Sequence, residues 1–303
     1  MRDLILASFI LCTLGAGVAE ADDPKFDFAK PEPTPDEPAT PDVEWNANAE
    51  AGAIFTTGNS QTTTMTAAFK TSRKAAMNKL ALEASAAYAR SAIRTLVDQN
   101  GNGLVDNEAE IDSVKTTTAE TLGSKVRYDR FLTQHNSLFV AVLGSRDLPA
   151  GKELVLGAQV GYSRLLYKST KTEVSSEIGY DFSREQLTVG DPVAIHSARA
   201  FAGAKSTMSE GVDAEGSIEL LSNLSEETLP TGKDGSAFKD TRVNAHVALS
   251  AKVGKDLAVQ TAFDVKYDNR PGPLAIKDLA PGFVPEATKL DTILKASLIY
   301  TFD

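Results

Sequence analysis

From Trp45 almost to the end of the chain, apolar and polar residues alternate with a period of two, and this alternation is what most constrains the fold. In the stretch WNANAEAGAIF, which begins at Trp45, every second residue is Trp, Ala or Phe, and the residues between them are mostly polar or glycine. Successive side chains of a β-strand point to opposite faces, so the pattern predicts strands with one apolar and one polar face.

The alternation divides the chain into twelve segments, most of them 11 to 17 residues long. Strands of ordinary globular proteins average about 5–6 residues, whereas a tilted strand that crosses a membrane needs about 9–11. None of the 13 prolines interrupts a segment, as expected of paired strands, because proline cannot donate to the ladder. One segment, SLFVAVLGS, is apolar on both faces, which leaves its register open. The predicted strands are 45–56, 60–73, 77–90, 114–128, 136–146, 153–167, 171–186, 193–207, 212–224, 237–253, 256–269 and 288–302.

The junctions between these segments are short at one end of the sheet and mostly long at the other, reaching more than twenty residues around Asp98. The first junction, around TGNS, is a short exception on the long side. Short turns on one side, long loops on the other and an even number of strands are typical of bacterial outer-membrane barrels. The predicted fold is therefore all-β, a transmembrane antiparallel up-and-down β-barrel of about 12 strands.

A soluble periplasmic β-sandwich or barrel would alternate equally well, with its apolar face turned inward. The aromatic residues of the apolar face favour the membrane barrel, because they fall at both ends of the strands and bracket a band of Ala, Val and Leu, as interfacial girdles do. The predicted inner girdle is Trp45, Tyr128, Tyr300 and Phe302, and the predicted outer girdle is Phe55, Tyr88, Phe182 and Tyr267.

The N-terminal region has the pattern of an exported protein. Residues 1–21 combine Arg2, an apolar run and an Ala-x-Ala sequence ending at Ala21, which predicts a signal peptide cleaved there. Residues 22–43 form a Pro-rich acidic spacer, predicted to lie in the periplasm, and residues 44–303 the barrel. The only cysteine, Cys12, lies in the signal peptide, so the mature chain has no disulfide. The net charge of −10 argues against a nucleic-acid partner.

The stretch WNANAEAGAIFTTGNSQTTT resembles the salt-induced outer membrane proteins, a bacterial family defined by a domain of unknown function. The shared features are the opening Trp, Glu50 followed by Gly52, and Thr-Gly-Asn-Ser before a Thr-rich strand. The segment LVLGAQVGYSRLLYKSTKTEVSSEIGYDFSREQ, with Gly-x-x-x-Gly-Tyr and Gly-Tyr, and the terminal LKASLIYTF are similar to the middle region and last strand of the family.

This resemblance covers residues 44–303 and implies an outer-membrane barrel in a Gram-negative bacterium, with at most a link to salt or envelope stress. It implies no mechanism. The chain departs from the pattern in ending on Asp303 after Phe302, whereas outer-membrane barrels often finish on the aromatic residue itself. The insertion that carries Asp98 also looks longer than the usual hairpin loop of the family.

The stretch DQNGNGLVDNEAE has the spacing of a calcium loop, with oxygen-bearing residues at alternate positions and Gly103 at the sharp turn. An EF-hand would place a bidentate Glu where Ala109 stands, so we expect a looser and weaker Ca²⁺ loop. The alternative is an ordinary surface turn rich in Asn and Gly. The predicted ligands are Asp98, Asn100, Asn102, Leu104 through its carbonyl, Asp106 and Glu110.

The polar face of the predicted strands carries both charge signs, which indicates either a hydrated pore or internal ion pairs that fill a narrow barrel. Nucleophilic catalysis is not expected, because no Gly-x-Ser-x-Gly or comparable Ser/His arrangement occurs. His246 is predicted to be a polar lumen residue. The charged residues expected inside are Lys70, Lys125, Arg127, Arg199, Lys205, Arg242, Lys252, Lys266, Lys295, Glu50, Glu83, Glu173, Glu177, Asp181, Asp213, Glu215, Glu219, Asp264 and Asp291.

Two functions are compatible with these patterns. One is a narrow passive channel for small polar solutes. The other is a non-conducting envelope protein whose extracellular loops bind cations, lipopolysaccharide or a partner. The expected partners in both cases are outer-membrane lipid, lipopolysaccharide and the outer-membrane assembly machinery, and neither function requires a cofactor beyond the possible Ca²⁺ of the 98–110 loop.

Overall fold

The structure, a computed structural model, describes residues 43–56, 62–96, 111–148, 150–226, 235–273 and 287–302. Twelve strands make up almost all of these residues. They are β1 Val43–Thr56, β2 Thr62–Ala75, β3 Asn78–Leu96, β4 Ile111–Phe131, β5 Asn136–Asp147, β6 Lys152–Lys168, β7 Thr172–Leu187, β8 Val193–Ser209, β9 Val212–Asn223, β10 Thr241–Lys252, β11 Leu257–Asp268 and β12 Leu290–Phe302. No helix among the described residues is long and apolar enough to cross a membrane.

The strands close into a single barrel in which each strand pairs antiparallel with its neighbours in sequence and β1 pairs with β12. This up-and-down topology confirms the predicted fold class and strand number. The β1–β12 ladder runs only from the pair Ala47–Phe302 to the pair Ala51–Leu298, whereas the β1–β2 ladder runs the whole length of both strands. The closing seam is therefore the shortest ladder in the barrel.

Several strand boundaries differ from the predicted ones. β1 already begins at Val43, a residue that the sequence patterns assigned to the spacer, and β10 begins at Thr241 rather than at 237. β3 and β4 extend toward each other to Leu96 and Ile111, so their junction is residues 97–110 and is shorter than expected. The extra residues still pair across the two strands after a register shift at Ala89 and Arg90. A β-bulge of this kind interrupts the alternation from which strand ends are read.

The two ends of the barrel differ in their connections. At one end, here called the turn end, the junctions are residues 76–77, 132–135, 169–171, 210–211 and 253–256. Ala76 and Gly211 have positive φ values of 50° and 75° in two of these turns, which tight hairpins require. At the other end, here called the loop end, the junctions include 224–240 and 269–289 but also the short 148–151 and 188–192.

The outer face of the barrel is apolar and exposed. Val142, Ile178 and Val247 are more than 60% exposed at mid-strand positions. Trp45, Tyr128, Tyr300 and Phe302 are exposed near the turn end, and Tyr88 is exposed toward the loop end. Phe182 and Tyr267 are half-buried, and the side chain of Phe55 lies outside the described residues.

The register of β5, which the sequence left open, is resolved by the structure. Phe139 and Ala141 point into the lumen and are almost completely buried, whereas Val140 and Val142 point outward. One apolar face of this strand therefore joins the outer wall, and the other contributes an aromatic ring to an otherwise charged interior.

Candidate functional site

The lumen carries the charged side chains that the alternation placed there. Lys125, Arg127, Glu177, Arg199 and Glu219 are all at least 94% buried, because they point away from the apolar outer wall. The sequence patterns missed other lumen residues at or near strand ends, of which Asp129, Asp147, Lys152 and Glu185 form ion pairs described below. Asp129 and Glu185 follow the same period of two as their neighbours Arg127 and Asp181, so the signal was present.

A chain of five charged residues, here called the central cluster, fills part of the lumen: Asp129, Arg127, Glu177, Arg199 and Glu219. Arg127 donates from Nη2 to Asp129 Oδ1 and to Glu177 Oε1, both at 2.7 Å. Arg199 donates from Nη1 to Glu177 Oε2 and from Nε to Glu219 Oε1, both at 2.6 Å. Glu177 thus shares one carboxylate between two guanidinium groups, and its side chain is completely buried.

Neighbouring polar groups complete the hydrogen bonding of the central cluster. Ser163 donates to Glu177 Oε1 at 3.1 Å, and Asn244 donates to Glu219 Oε2 at 3.0 Å. Hydrogen bonds to a buried carboxylate offset part of the cost of removing it from water. The cluster is therefore a compact ion-pair network and not a set of isolated charges.

An aromatic ring packs against the central cluster, and two glycines on the neighbouring strands β6 and β7 allow close packing beside it. The guanidinium carbon of Arg127 lies 4.1 Å from the centroid of the Phe139 ring, a cation–π contact. Gly161 and Gly179 are directly opposite each other on β6 and β7. A Cβ at Gly161 would lie 2.7 Å from atoms of the Phe139 ring, and one at Gly179 would lie 2.6 Å from the carbonyl oxygen of Val160. Close packing therefore explains why Gly161 and Gly179, in the Gly-x-x-x-Gly-Tyr and Gly-Tyr segments, carry no side chain.

A second group of ion pairs, here called the outer bridge, lies toward the loop end. Arg242 binds Glu185 at 2.6 Å and Asp240 at 2.9 Å, and Lys152 binds Glu185 at 3.2 Å. Asp240 precedes β10, and burial is the main cause that raises its pKa above the usual range.

Two further pairs of the outer bridge join opposite walls of the barrel. Lys266 lies 3.9 Å from Asp147, and their strands, β11 and β5, are six positions apart in the ring of twelve. Lys152 on β6 lies 3.6 Å from Asp268 on β11, five positions away.

The loop end is also bridged by backbone. A Cβ at Gly151, whose φ is 74°, would lie 2.1 Å from the carbonyl oxygen of Pro273. Thr188 donates its backbone N–H to the carbonyl of Gly151 at 2.9 Å. Pro273 is completely buried. The junctions after β5, β7 and β11 therefore meet above the lumen.

A polar cavity of about 240 Å³ occupies the lumen toward the turn end. Its wall includes Asn46 and Asn48 near the start of β1 and Lys252 at the end of β10. Charged side chains of both signs line it, among them Lys70, Lys125, Lys205, Glu50, Glu83 and Glu215. A polar space thus remains on one side of the central cluster, whereas the outer bridge crosses the lumen on the other.

His246 lies on the wall of this cavity between two carboxylates. Its Nδ1 is 2.5 Å from Asp264 Oδ1, and its Nε2 is 3.7 Å from Glu215 Oε1. Lys295 binds the other oxygen of Asp264 at 2.9 Å. The other two histidines lie elsewhere: His135 is exposed in a turn, and His196 contacts Tyr180. The prediction that His246 is a polar lumen residue is confirmed.

The predicted calcium ligands Asp98, Asn100, Asn102, Leu104, Asp106 and Glu110 lie outside the described residues, so the calcium loop stays a prediction. Within the described ranges, no group of three or more His, Asp or Glu side chains is arranged to hold a metal ion.

Several solved outer-membrane proteins are similar to this chain at low sequence identity. The NanC porin is 11% identical, with a TM-score of 0.44 over 86% of this chain and 99% of that one. OmpT of Vibrio cholerae in its trimer form is 8% identical, with a TM-score of 0.36 over 86% and 99%. The anion-selective porin from Comamonas acidovorans is 10% identical, with a TM-score of 0.37 over 86% and 99%. No curated protein sequence matches this chain.

The sequence of residues 49–302 matches a family described as "Protein of unknown function, DUF481". The match begins within β1 and ends at the last residue of β12, so it includes the central cluster, the outer bridge and the cavity wall apart from Asn46 and Asn48. Because it spans most of the chain, the protein belongs to the DUF481 family.

Proposed function

We propose that this protein is a bacterial outer-membrane barrel whose lumen is closed at its outer end and open to the periplasm as a charged cavity. The apolar outer wall supports the membrane location, since residues such as Val142 and Val247 are largely exposed in the isolated chain and suit contact with lipid. In outer-membrane barrels the long loops face outside the cell, so the turn end faces the periplasm.

The observation that carries the proposal is the outer bridge between opposite walls. The Lys266–Asp147 pair joins strands on opposite sides of the barrel at 3.9 Å, so the two side chains together span the lumen. Open porins have about 16–18 strands and a water-filled lumen, and twelve strands give a narrower barrel that side chains can span.

Planar-bilayer recording tests the closed lumen. We expect the purified wild type to be silent and a triple variant, Lys152→Gln with Arg242→Gln and Lys266→Gln, to show discrete conductance steps. The variant should prefer cations, because Asp147, Glu185 and Asp268 remain and line the opened passage. Lys168→Gln is the matched control, since Lys168 is exposed at the end of β6. A folded triple variant that stays silent would contradict closure by the outer bridge.

A narrow passive channel for small polar solutes is the second candidate, and the polar cavity favours it. Water and small solutes can enter a lumen lined by Asn46, Glu50 and Lys70 more readily than one filled by apolar side chains. This function predicts discrete conductance steps from the wild type itself, so the same recording separates the two candidates.

The membrane location has its own test. Cells that express the full chain should yield the protein in the outer-membrane fraction, with a gel mobility that changes on heating as the barrel unfolds. Recovery as a soluble periplasmic monomer would contradict the location. Binding of cations or lipopolysaccharide by the loops, and induction by salt or envelope stress, are further proposals. Abundance of the protein in cells grown at raised sodium chloride tests the second of these.

A further inference from the structure

We propose that the turn-end cavity binds a small anion that carries a carboxylate or phosphate group, and that Lys125 is its anchor. This binding does not require conduction through the lumen. It goes beyond the closure proposed above by assigning a ligand class to the cavity.

Lys125 is a buried cation that forms no ion pair among the described residues, although Glu83 lies directly opposite it on β3. It lies on β4, lines the cavity and is only 5% exposed. Within the described part of the chain, its ammonium group makes no hydrogen bond and no ion pair. The ammonium group of Lys125 faces the cavity, and charges in a protein interior are as a rule paired. A bound anion would supply the missing partner.

Three acids around the cavity have hydrogen-bond partners of their own. Asp129 is held by Arg127, Asp213 accepts a hydrogen bond of 2.7 Å from Thr207, and Glu215 accepts one of 3.3 Å from Gln260.

Lys205 and Lys252 line the same cavity and, like Lys125, make no hydrogen bond or ion pair within the described ranges, although Lys205 lies directly opposite Glu215 on β9. Three lysines of the cavity wall, Lys125, Lys205 and Lys252, therefore have ammonium groups that no described residue holds by a hydrogen bond or an ion pair. Glu50, an acid on the cavity wall, likewise makes no such contact among the described residues.

Size and geometry restrict the ligand. A cavity of about 240 Å³ is smaller than the pockets of about 300–1,000 Å³ that hold drug-sized ligands. A lysine ammonium acts as a point charge and does not impose the bidentate geometry of arginine. The cavity thus fits a small carboxylate or a phosphate ion that enters from the turn end.

The test uses the full mature chain folded in a neutral detergent, with acetate and inorganic phosphate as separate probes at constant ionic strength. We expect one or both probes to raise the melting temperature saturably. Lys125→Met should weaken that response by about tenfold or more, since it removes a charge-assisted contact. Glu50→Gln should strengthen it, because it removes a negative charge from the wall. Lys168→Met, at the exposed end of β6, should respond as the wild type does.

A second readout separates binding from a structural role. Without added anion, Lys125→Met should be at least as stable to urea as the wild type, because the variant no longer buries an unpaired charge. A less stable variant would show that Lys125 holds the barrel together, and would overturn the proposal. Equal responses of the wild type and Lys125→Met, or no saturable response of the wild type to either probe, would also overturn it. Neither result depends on the conductance measurement.

Discussion

Arg127 and Glu177 are joined by a hydrogen bond of 2.7 Å although their strands, β4 and β7, are not neighbours in the barrel. Arg199 on β8 completes the contact from the other side, at 2.6 Å. The central cluster therefore connects strands that the backbone ladders do not connect directly.

Glu177→Gln should strongly destabilise the barrel. The substitution removes the carboxylate shared by Arg127 and Arg199 and leaves two buried guanidinium groups with less counter-charge. Breaking a buried ion pair by removal of one partner costs about 3–5 kcal/mol. Urea unfolding followed by the fluorescence of Trp45, the only tryptophan, measures the loss. Glu173→Gln is the control, because Glu173 pairs with the exposed Lys168 and such pairs contribute below about 1 kcal/mol. Equal losses in the two variants would contradict a special role for the cluster.

Gly161→Ala should destabilise the barrel by overpacking. The new Cβ would lie 2.7 Å from the Phe139 ring and 2.6 Å from the carbonyl oxygen of Ile178, so the ring under Arg127 has to move. Overpacking of this kind costs about 1–3 kcal/mol. Gly216→Ala is the matched control on β9, because a Cβ there meets no atom closer than 3.5 Å. We expect the control to unfold at the same urea concentration as the wild type or a higher one.

Val142→Arg should show whether the outer wall faces lipid. Val142 lies at the middle of β5 and is 64% exposed, and an arginine on the lipid face at the bilayer midplane costs about 2–4 kcal/mol. Leu257→Arg, at the first residue of β11, should cost only about 0–1 kcal/mol, because strand ends lie near the interface. Refolding into liposomes across a urea series measures both. A barrel surrounded by water would tolerate the two substitutions alike.

Asp98→Ala should abolish any millimolar Ca²⁺ response without affecting barrel assembly. Asp98 is the first predicted ligand, and the two neutral ligands Asn100 and Asn102 suit the weak affinity, about 10⁻⁴–10⁻³ M, of extracellular calcium modules. Calcium titration of the melting temperature of wild type and variant is the measurement. Asp191→Ala, in the junction between β7 and β8, controls for the loss of one acid at the loop end. Identical titration curves for Asp98→Ala and the wild type would count against the site.

The strands and their inward faces were predictable because both follow from a period of two. Lys125, Glu177 and Arg199 could be assigned to the lumen from their neighbours alone. Alternation gives the face of a residue but not its position around the barrel, so it cannot show that Lys266 meets Asp147 across the lumen. That pairing depends on the strand order and on the length of the side chains.

The burial of Phe139 was not predictable from β5 itself, since both faces of that strand are apolar. The signal lay in another strand, in Gly161, which is small at the position where the ring needs space. Such a signal can be read only once β5 and β6 are known to be neighbours. Local sequence patterns were therefore enough to predict the strands that form the wall of the barrel. The packing of side chains inside the lumen could be predicted only from the tertiary structure.

The short ladder between β1 and β12, from Ala47–Phe302 to Ala51–Leu298, makes the barrel mechanically unequal around its circumference. Fewer backbone hydrogen bonds hold this seam than any other junction, so separating it takes the least work. We therefore expect the β1–β12 ladder to separate first when the barrel opens and to form last when it assembles. The two termini of the folded domain are thus also the edges at which a lateral opening in the wall would begin.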